Sequence, residues 1–167
     1  MPSQQEIDEI LEDLWSKKEG NKGDICSCDG VVNIEEYKKF LLHMQNEGLV
    51  TIDGDNAVFT KKGEEKASAL IRRHRLAERL LTDILDTSKE KIEGPACQFE
   101  HLVSEEVTEA ICTLLGHPTV CPHGLPIPKG DCCVKAQNRL EALISSLDKI
   151  DIGEKVTVSY ILAHHNP

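Results

Sequence analysis

Residues 61–86 carry one continuous helical pattern, and everything else in the chain has to be arranged around it. Ala67, Ala69, Leu70, Ile71, Leu76, Leu80, Leu81, Ile84 and Leu85 form a broad apolar face. A helix rises roughly 1.5 Å per residue, so an element of this length can link two domains. The residues before it alternate differently. Leu49-Val50-Thr51-Ile52 and Ala57-Val58-Phe59-Thr60 flank the turn residues Gly54-Asp55-Asn56, which predicts a tight hairpin leading into the long helix.

Two shorter helical patterns stand upstream of the hairpin. Ile7, Ile10, Leu11, Leu14 and Trp15 give residues 5–18 one apolar face, ended by Gly20 and Gly23. Ile34, Tyr37, Phe40, Leu41 and Met44 do the same for about 33–46. Asn33 serves there as N-cap, Glu36 completes a capping box, and Gly48 closes the helix. Between them NKGDICSCDG, residues 21–30, is polar and turn-rich. Helix, turn, helix and hairpin make a winged helix-turn-helix.

Downstream, Pro95 is expected in the first turn of a helix over about 95–102. Ser104 caps another that Gly116 closes. Residues 117–131 hold four prolines and two glycines and read as a loop. Residues 136–147 can form a short helix, and Lys149 to Leu162 looks like the first strand of a small β unit. The expected fold class is therefore mainly α. The expected division is a winged-helix domain over 1–66, a helical domain over 67–135, and a linker with a short C-terminal β segment over 136–167.

The bulk numbers narrow the function. A net charge of -10 over 167 residues argues against broad non-specific nucleic-acid binding but leaves room for a local basic face. No apolar run is long enough for a membrane span, and the start MPSQQEIDEILEDLW lacks the basic and apolar parts of a secretory signal. A cytoplasmic location, with no membrane partner, is expected. The seven cysteines are odd in number and are read as thiols or metal ligands rather than a disulfide framework.

Cys97, Glu100 and His101 are spaced i, i+3, i+4 and share one helix face. Thiolate, carboxylate and imidazole together suit iron(II), cobalt, nickel or zinc better than magnesium or calcium. His74 and Glu78 form an i, i+4 pair on the long helix, and Glu9 and Glu12 an i, i+3 pair on the first. Any one of these groups alone is an ordinary solvated or buried helix face. Together, three helices could complete one site.

RRHRLAERLLTDIL at 72–85, ACQFEHLVSEEV at 96–107 and CPHGLPIP at 121–128 resemble the diphtheria toxin repressor family, in motif and in the spacing between motifs, over about residues 49–128. The resemblance implies a metal-dependent transcriptional repressor, not an enzyme. It would use Fe(II) or Mn(II) as corepressor, with Co(II), Ni(II) or Zn(II) as substitutes. It would control metal homeostasis genes as a homodimer on a palindromic double-stranded DNA operator. His74 and Glu78 then match the ancillary-site ligands, and Cys97, Glu100 and His101 the primary-site ligands. Glu9 falls where iron-type members have methionine and manganese-type members aspartate, and Glu12 where manganese-type members have glutamate. Glu93 falls at a further ligand position, but with Gly94-Pro95 following it is expected outside the helix. Residues 104–116, with Val107, Ile111, Leu114 and Leu115, would supply much of the dimer contact.

The DNA-reading part departs from that pattern. KGDICSCDGVV stands where a second helix belongs, and Glu35 and Glu36 lead the recognition helix. Asn33, Tyr37, Lys38 and Lys39 are the candidate DNA contacts, with Lys61, Lys62, Arg72 and Arg73 as phosphate contacts. The alternative is a metal- or redox-sensing interaction protein of this fold that has lost DNA reading. Cys26, Cys28, Cys132 and Cys133 lie outside the family pattern. With Cys121 they could hold zinc or an iron–sulfur cluster, but they are read as incidental thiols, and His123 as part of its loop's structure.

Overall fold

The computed structural model describes residues 2–20, 34–54 and 56–143. Its elements are α1 (Gln4–Lys18), α2 (Ile34–Asn46), β1 (Val50–Asp53), β2 (Asn56–Phe59), α3 (Lys61–Asp83), α4 (Glu93–Leu102), α5 (Glu105–Leu114) and α6 (Asp131–Leu143), with a short 3-10 turn at Lys89–Lys91. Asn33, Cys26, Cys28, the 22–32 segment and the expected strand at 149–162 lie outside the described residues.

Local chemistry sets most of the boundaries. Ser3 caps α1 with a full capping box: its hydroxyl accepts from the Glu6 amide while the Glu6 carboxylate accepts from the Ser3 amide. Thr60 caps α3 by accepting from Gly63 N, and Ser104 caps α5 by accepting from Val107 N. The strands pair antiparallel in the register Val50↔Phe59, Thr51↔Val58, Ile52↔Ala57 and Asp53↔Asn56. Two boundaries differ from expectation. α4 begins at Glu93, so Pro95 is its third residue. The missing proline amide is one of the first four that have no partner in any helix, so the helix can start ahead of it. α6 starts at Asp131, five residues before the expected position.

Two apolar clusters divide the chain, and α3 serves both. Ile7, Ile10, Leu11 and Leu14 of α1 pack with Leu41 and Met44 of α2, Leu49 and Val50 of the hairpin, and Ala67 and Leu70 of α3. Further along α3, Leu76 packs with Ile111, Cys112, Cys121 and Ile127. Arg75 fastens the two halves together. It is almost fully buried, grips Glu19 beyond the end of α1 through two bonds of 3.0 and 2.6 Å, and donates to the Pro126 carbonyl in the 117–130 loop.

The outward faces also matter. Leu102, Val107 and Leu114 are exposed, whereas Ile111, expected at the dimer contact, is turned into the second cluster. Arg72 and Arg73 do not reach outward as phosphate contacts. Arg72 is buried and donates to the Pro128 carbonyl, and Arg73 Nε donates to the Glu100 carbonyl. Among the described residues no helix is long and apolar enough to cross a membrane.

Candidate metal centre

Three helices bring their polar residues to one buried seam. α3 presents His74 and Glu78, one turn apart; α4 presents Glu93, Cys97, Glu100 and His101; α1 contributes from the far side. α1 carries Asp8 and Glu12, also one turn apart, at the edge of the stripe that buries Ile7 and Leu11. Asp8, Glu12, His74, Glu78 and Glu100 are all buried.

The seam has two adjoining lobes. In the first, His74 Nδ1 lies 2.9 Å from Glu100 Oε2 and 4.0 Å from Glu12 Oε1. His101 Nδ1 lies 3.5 Å from Asp8 Oδ2, and its Nε2 lies 3.5 Å from Glu100 Oε1. One donor atom each from Cys97, Glu100 and His101 falls within 4.8 Å of the others. In the second lobe, His74 Nε2 lies 3.5 Å from Glu78 Oε1 and 3.8 Å from Glu93 Oε1. His123 Nδ1, from the 117–130 loop, lies 2.8 Å from that same Glu78 oxygen, and Cys121 joins them within 4.8 Å. The imidazole of His74 thus faces both lobes, one nitrogen to each.

Several expectations from the sequence need restating. Glu93 lies inside α4 and within reach of His74, because the helix starts ahead of Pro95. Glu9 is not among the residues brought within 4.8 Å of one another; it is half-buried and accepts a 3.5 Å bond from Gln5. Asp8 is the α1 residue beside His101. The legible signal was the i, i+4 spacing of Asp8 and Glu12 next to the apolar stripe. His123 and Cys121 had no local signal, because a proline-rich loop carries no face. Tyr37, a candidate DNA contact, is half-buried and donates its hydroxyl to Asp13 Oδ2 at 3.1 Å, while Lys38 and Lys39 stand exposed. Cys97 is disulfide-bonded in the structure, contrary to the reading of the cysteines as thiols, so its use as a ligand belongs to the reduced protein.

Electrostatics test whether these residues suit a cation. Four buried carboxylates, Asp8, Glu12, Glu78 and Glu100, surround two imidazoles, an arrangement that burial penalises unless positive charge is supplied. Burial first, then the Glu100 carboxylate, push Glu12 up to about 8. Burial alone would lower His74, but its bonds to Glu100 and Glu78 outweigh it and hold the imidazole well above its ordinary range. Glu78 Oε2, Glu100 Oε1 and His101 Nε2 are buried with no hydrogen-bond partner among the described residues. Unsatisfied atoms of this kind, converging from α3 and α4 beside the buried Asp8 and Glu12 of α1, fit a divalent transition metal.

A pH signature follows for the metal-free, reduced protein. Glu12 is raised from about 4.5, so its contribution to stability is full below about 4.5 and lost as pH rises through about 8. His74, also raised, acts in the same direction. Glu78 is lowered: burial opposes this, but the His74 bond prevails, and its contribution is lost only on acidification below the window. Melting temperature should fall between pH 5 and pH 8.5 by the equivalent of a few kcal/mol, an order-of-magnitude figure. Glu12→Gln should flatten that slope, and a wild-type profile that is level or rises would contradict the assignment.

The residues that α3, α4 and the 117–130 loop bring to the seam lie in the part of the chain that matches a known family. Residues 60–129 match the family described as "Iron dependent repressor, metal binding and dimerisation domain". Through these residues the chain resembles the diphtheria toxin repressor family. It is 42% identical over 86 residues to the iron-dependent repressor IdeR of Mycobacterium tuberculosis, covering 51% of this chain and 37% of that one. It is 41% identical over 86 residues to the diphtheria toxin repressor of Corynebacterium diphtheriae, covering 51% and 38%. The alignments thus span well under half the length of these relatives. In structure it is similar to a manganese-dependent transcriptional repressor in complex with manganese, at a TM-score of 0.66 and 28% identity, covering 75% of this chain and 59% of that one.

Proposed function

We propose that this protein is a metal-activated transcriptional repressor in which Fe(II) or Mn(II) is the corepressor. The observation that carries the reading is the convergence of buried donors from α1, α3 and α4, with Glu78 Oε2 of α3 and Glu100 Oε1 and His101 Nε2 of α4 left without hydrogen-bond partners among the described residues. Asp8, Glu12, Cys97, Glu100 and His101 would hold a cation in the first lobe, and His74, Glu78, Glu93 and His123 in the second. A bound divalent cation supplies the positive charge these carboxylates otherwise lack.

The protein's own residues do the rest. α1 carries Asp8 and Glu12 on one side and Ile10, Leu11 and Leu14 of the first core on the other. Holding Asp8 and Glu12 against His101 and Glu100 therefore fixes α1, and with it α2 and the hairpin, relative to α3 and α4. In a homodimer joined through exposed residues such as Leu102, Val107 and Leu114, that sets the spacing of two recognition helices over two half-sites. IdeR and the diphtheria toxin repressor, repressors by name, support the transcriptional part.

A second reading, an interaction protein with DNA reading lost, is favoured by the face of α2. Glu35 and Glu36 are exposed at its leading end, the Tyr37 hydroxyl is engaged by Asp13, and Arg72 and Arg73 are turned inward. Fluorescence anisotropy under reductant separates the two. Metal-loaded protein should prefer a palindromic duplex from its own promoter over random duplex, with Lys38→Ala and Lys39→Ala each lowering the salt slope by about one unit. No preference at low salt, with metal bound, would replace the repressor by the interaction protein.

A further inference from the structure

A second cluster of metal-ligating side chains lies on the other side of α3, outside the seam. Cys112 comes from α5, His117 from the turn after it, and Cys132 and Cys133 from the first turn of α6. One donor atom from each of the four lies within 4.8 Å of every other. Cys112 Sγ is 3.6 Å from Cys133 Sγ and 3.5 Å from His117 Nδ1, and the Cys132 and Cys133 sulfurs are 4.0 Å apart. A tetrahedral zinc with Zn–S of about 2.3 Å and Zn–N of about 2.0 Å sets its sulfurs about 3.8 Å apart, and sulfur from nitrogen about 3.5 Å. Three of the six separations are thus close to the edges of that tetrahedron, and the other three lie within 4.8 Å.

We propose that Cys112, His117, Cys132 and Cys133 form a structural zinc site, distinct from the regulatory metal centre and independent of the function proposed for it. Three thiolates and one imidazole are a soft donor set that selects zinc over manganese or magnesium. Four protein ligands complete the coordination, which is the mark of a structural rather than a catalytic site.

The surroundings are built for it. Three thiolates around a dication leave one net negative charge. The buried Arg72 lies against it, donating to Cys132 Sγ at 3.1 Å, with its other terminal nitrogen 3.7 Å from Cys133 Sγ and 2.7 Å from the Pro128 carbonyl. Such donors behind the ligands hold charge and orientation. Gly130 leaves room for that guanidinium: a Cβ there would come within 2.7 Å of Arg72 Nε. The amides of the first turn of α6 add a favourable field for the thiolates of Cys132 and Cys133. His117 adopts a left-handed backbone at φ 57, following Gly116 at φ 71, and its amide bonds the Cys112 carbonyl at 2.8 Å. A non-glycine residue in that region costs about 1 kcal/mol or more, a strain that tends to sit at ligand sites. The site would tie both ends of the 117–130 loop, and so hold Cys121 and His123 beside Glu78. The matched family segment stops at residue 129, short of two of the four donors.

The test is metal analysis of the full chain, purified under reductant and dialysed against a mild chelator. Wild type should keep one zinc per chain, and Glu100→Gln, altered only in the seam, should keep it as well. Cys132→Ser with Cys133→Ser should lose it. His117→Cys, which preserves four donors, should retain zinc and guards against loss through misfolding. Cobalt(II) in place of zinc should give tetrahedral visible bands and thiolate-to-metal charge transfer in wild type and Glu100→Gln, and neither when the double serine change is combined with Glu100→Gln. Wild type with no retained zinc and all seven thiols titratable would overturn the assignment. So would a double serine variant with undiminished zinc and an unchanged cobalt spectrum.

Discussion

Replacing Glu100 with glutamine should reduce divalent metal affinity of the seam by at least about a hundredfold while raising the melting temperature of the metal-free protein. Glu100 is only 1% exposed, and its two oxygens face different partners. Oε2 lies 2.9 Å from His74 Nδ1; Oε1 has no hydrogen-bond partner among the described residues and lies 3.5 Å from His101 Nε2. Glu100 approaches the imidazoles of both α3 and α4. Loss of a partner standing behind a ligand already costs tenfold to a hundredfold in affinity, so loss of the anionic donor itself should cost more. Without metal the sign reverses. Glu100 is the neighbour that, after burial, does most to push Glu12 up to about 8, and an amide of the same shape removes that like-charge repulsion. Titration calorimetry with Mn(II) or Co(II) under reductant, paired with calorimetric melting, reads both effects. Wild-type affinity together with an unchanged melting temperature would exclude Glu100 from the centre.

Gly63→Ala should destabilise the fold by about 3 kcal/mol or more, although glycine to alanine in a helix ordinarily gains close to 1 kcal/mol. A Cβ on Gly63 would fall 1.8 Å from the Leu49 carbonyl oxygen and 2.7 Å from its carbon, both backbone atoms. That carbonyl already accepts from the Thr60 amide at 3.0 Å and from the Thr60 hydroxyl at 3.2 Å. Relief requires the hairpin to leave α3, which opens the packing of the buried Leu49 and Val50 against Ala67 and Leu70. Urea denaturation should show a lower midpoint with similar steepness; a midpoint at or above wild type would mean that the hairpin does not ride on α3 at this point.

Helical spacing was enough to place Cys97, Glu100 and His101 on one face and His74 and Glu78 on another, because those relations are local and repeat every turn. The same holds for the long α3, whose apolar face spans many turns, and for the hairpin, whose alternation and turn residues are adjacent in the chain. The N-caps Ser104 and Thr60 are local as well, since each hydroxyl bonds an amide three residues on.

What the sequence left open depended on phase, on entry angle and on contacts between distant residues. Whether Asp8 or Glu9 faces the centre is a rotation of α1 by one residue, decided by how Ile7, Ile10 and Leu11 seat in the first core. Glu93 became available because α4 tolerates proline in its first turn. His123 and Cys121 are brought to Glu78 by a loop held through Arg75 and Arg72, and neither arginine's inward direction is written in a helix pattern that places charge beside apolar residues. Cys112 and Cys133 are 21 positions apart and their sulfurs 3.6 Å apart. Only the packing of α5 on α6 across a proline-rich loop makes that approach, so cysteines that look incidental along the chain become a set of four donors in the folded protein.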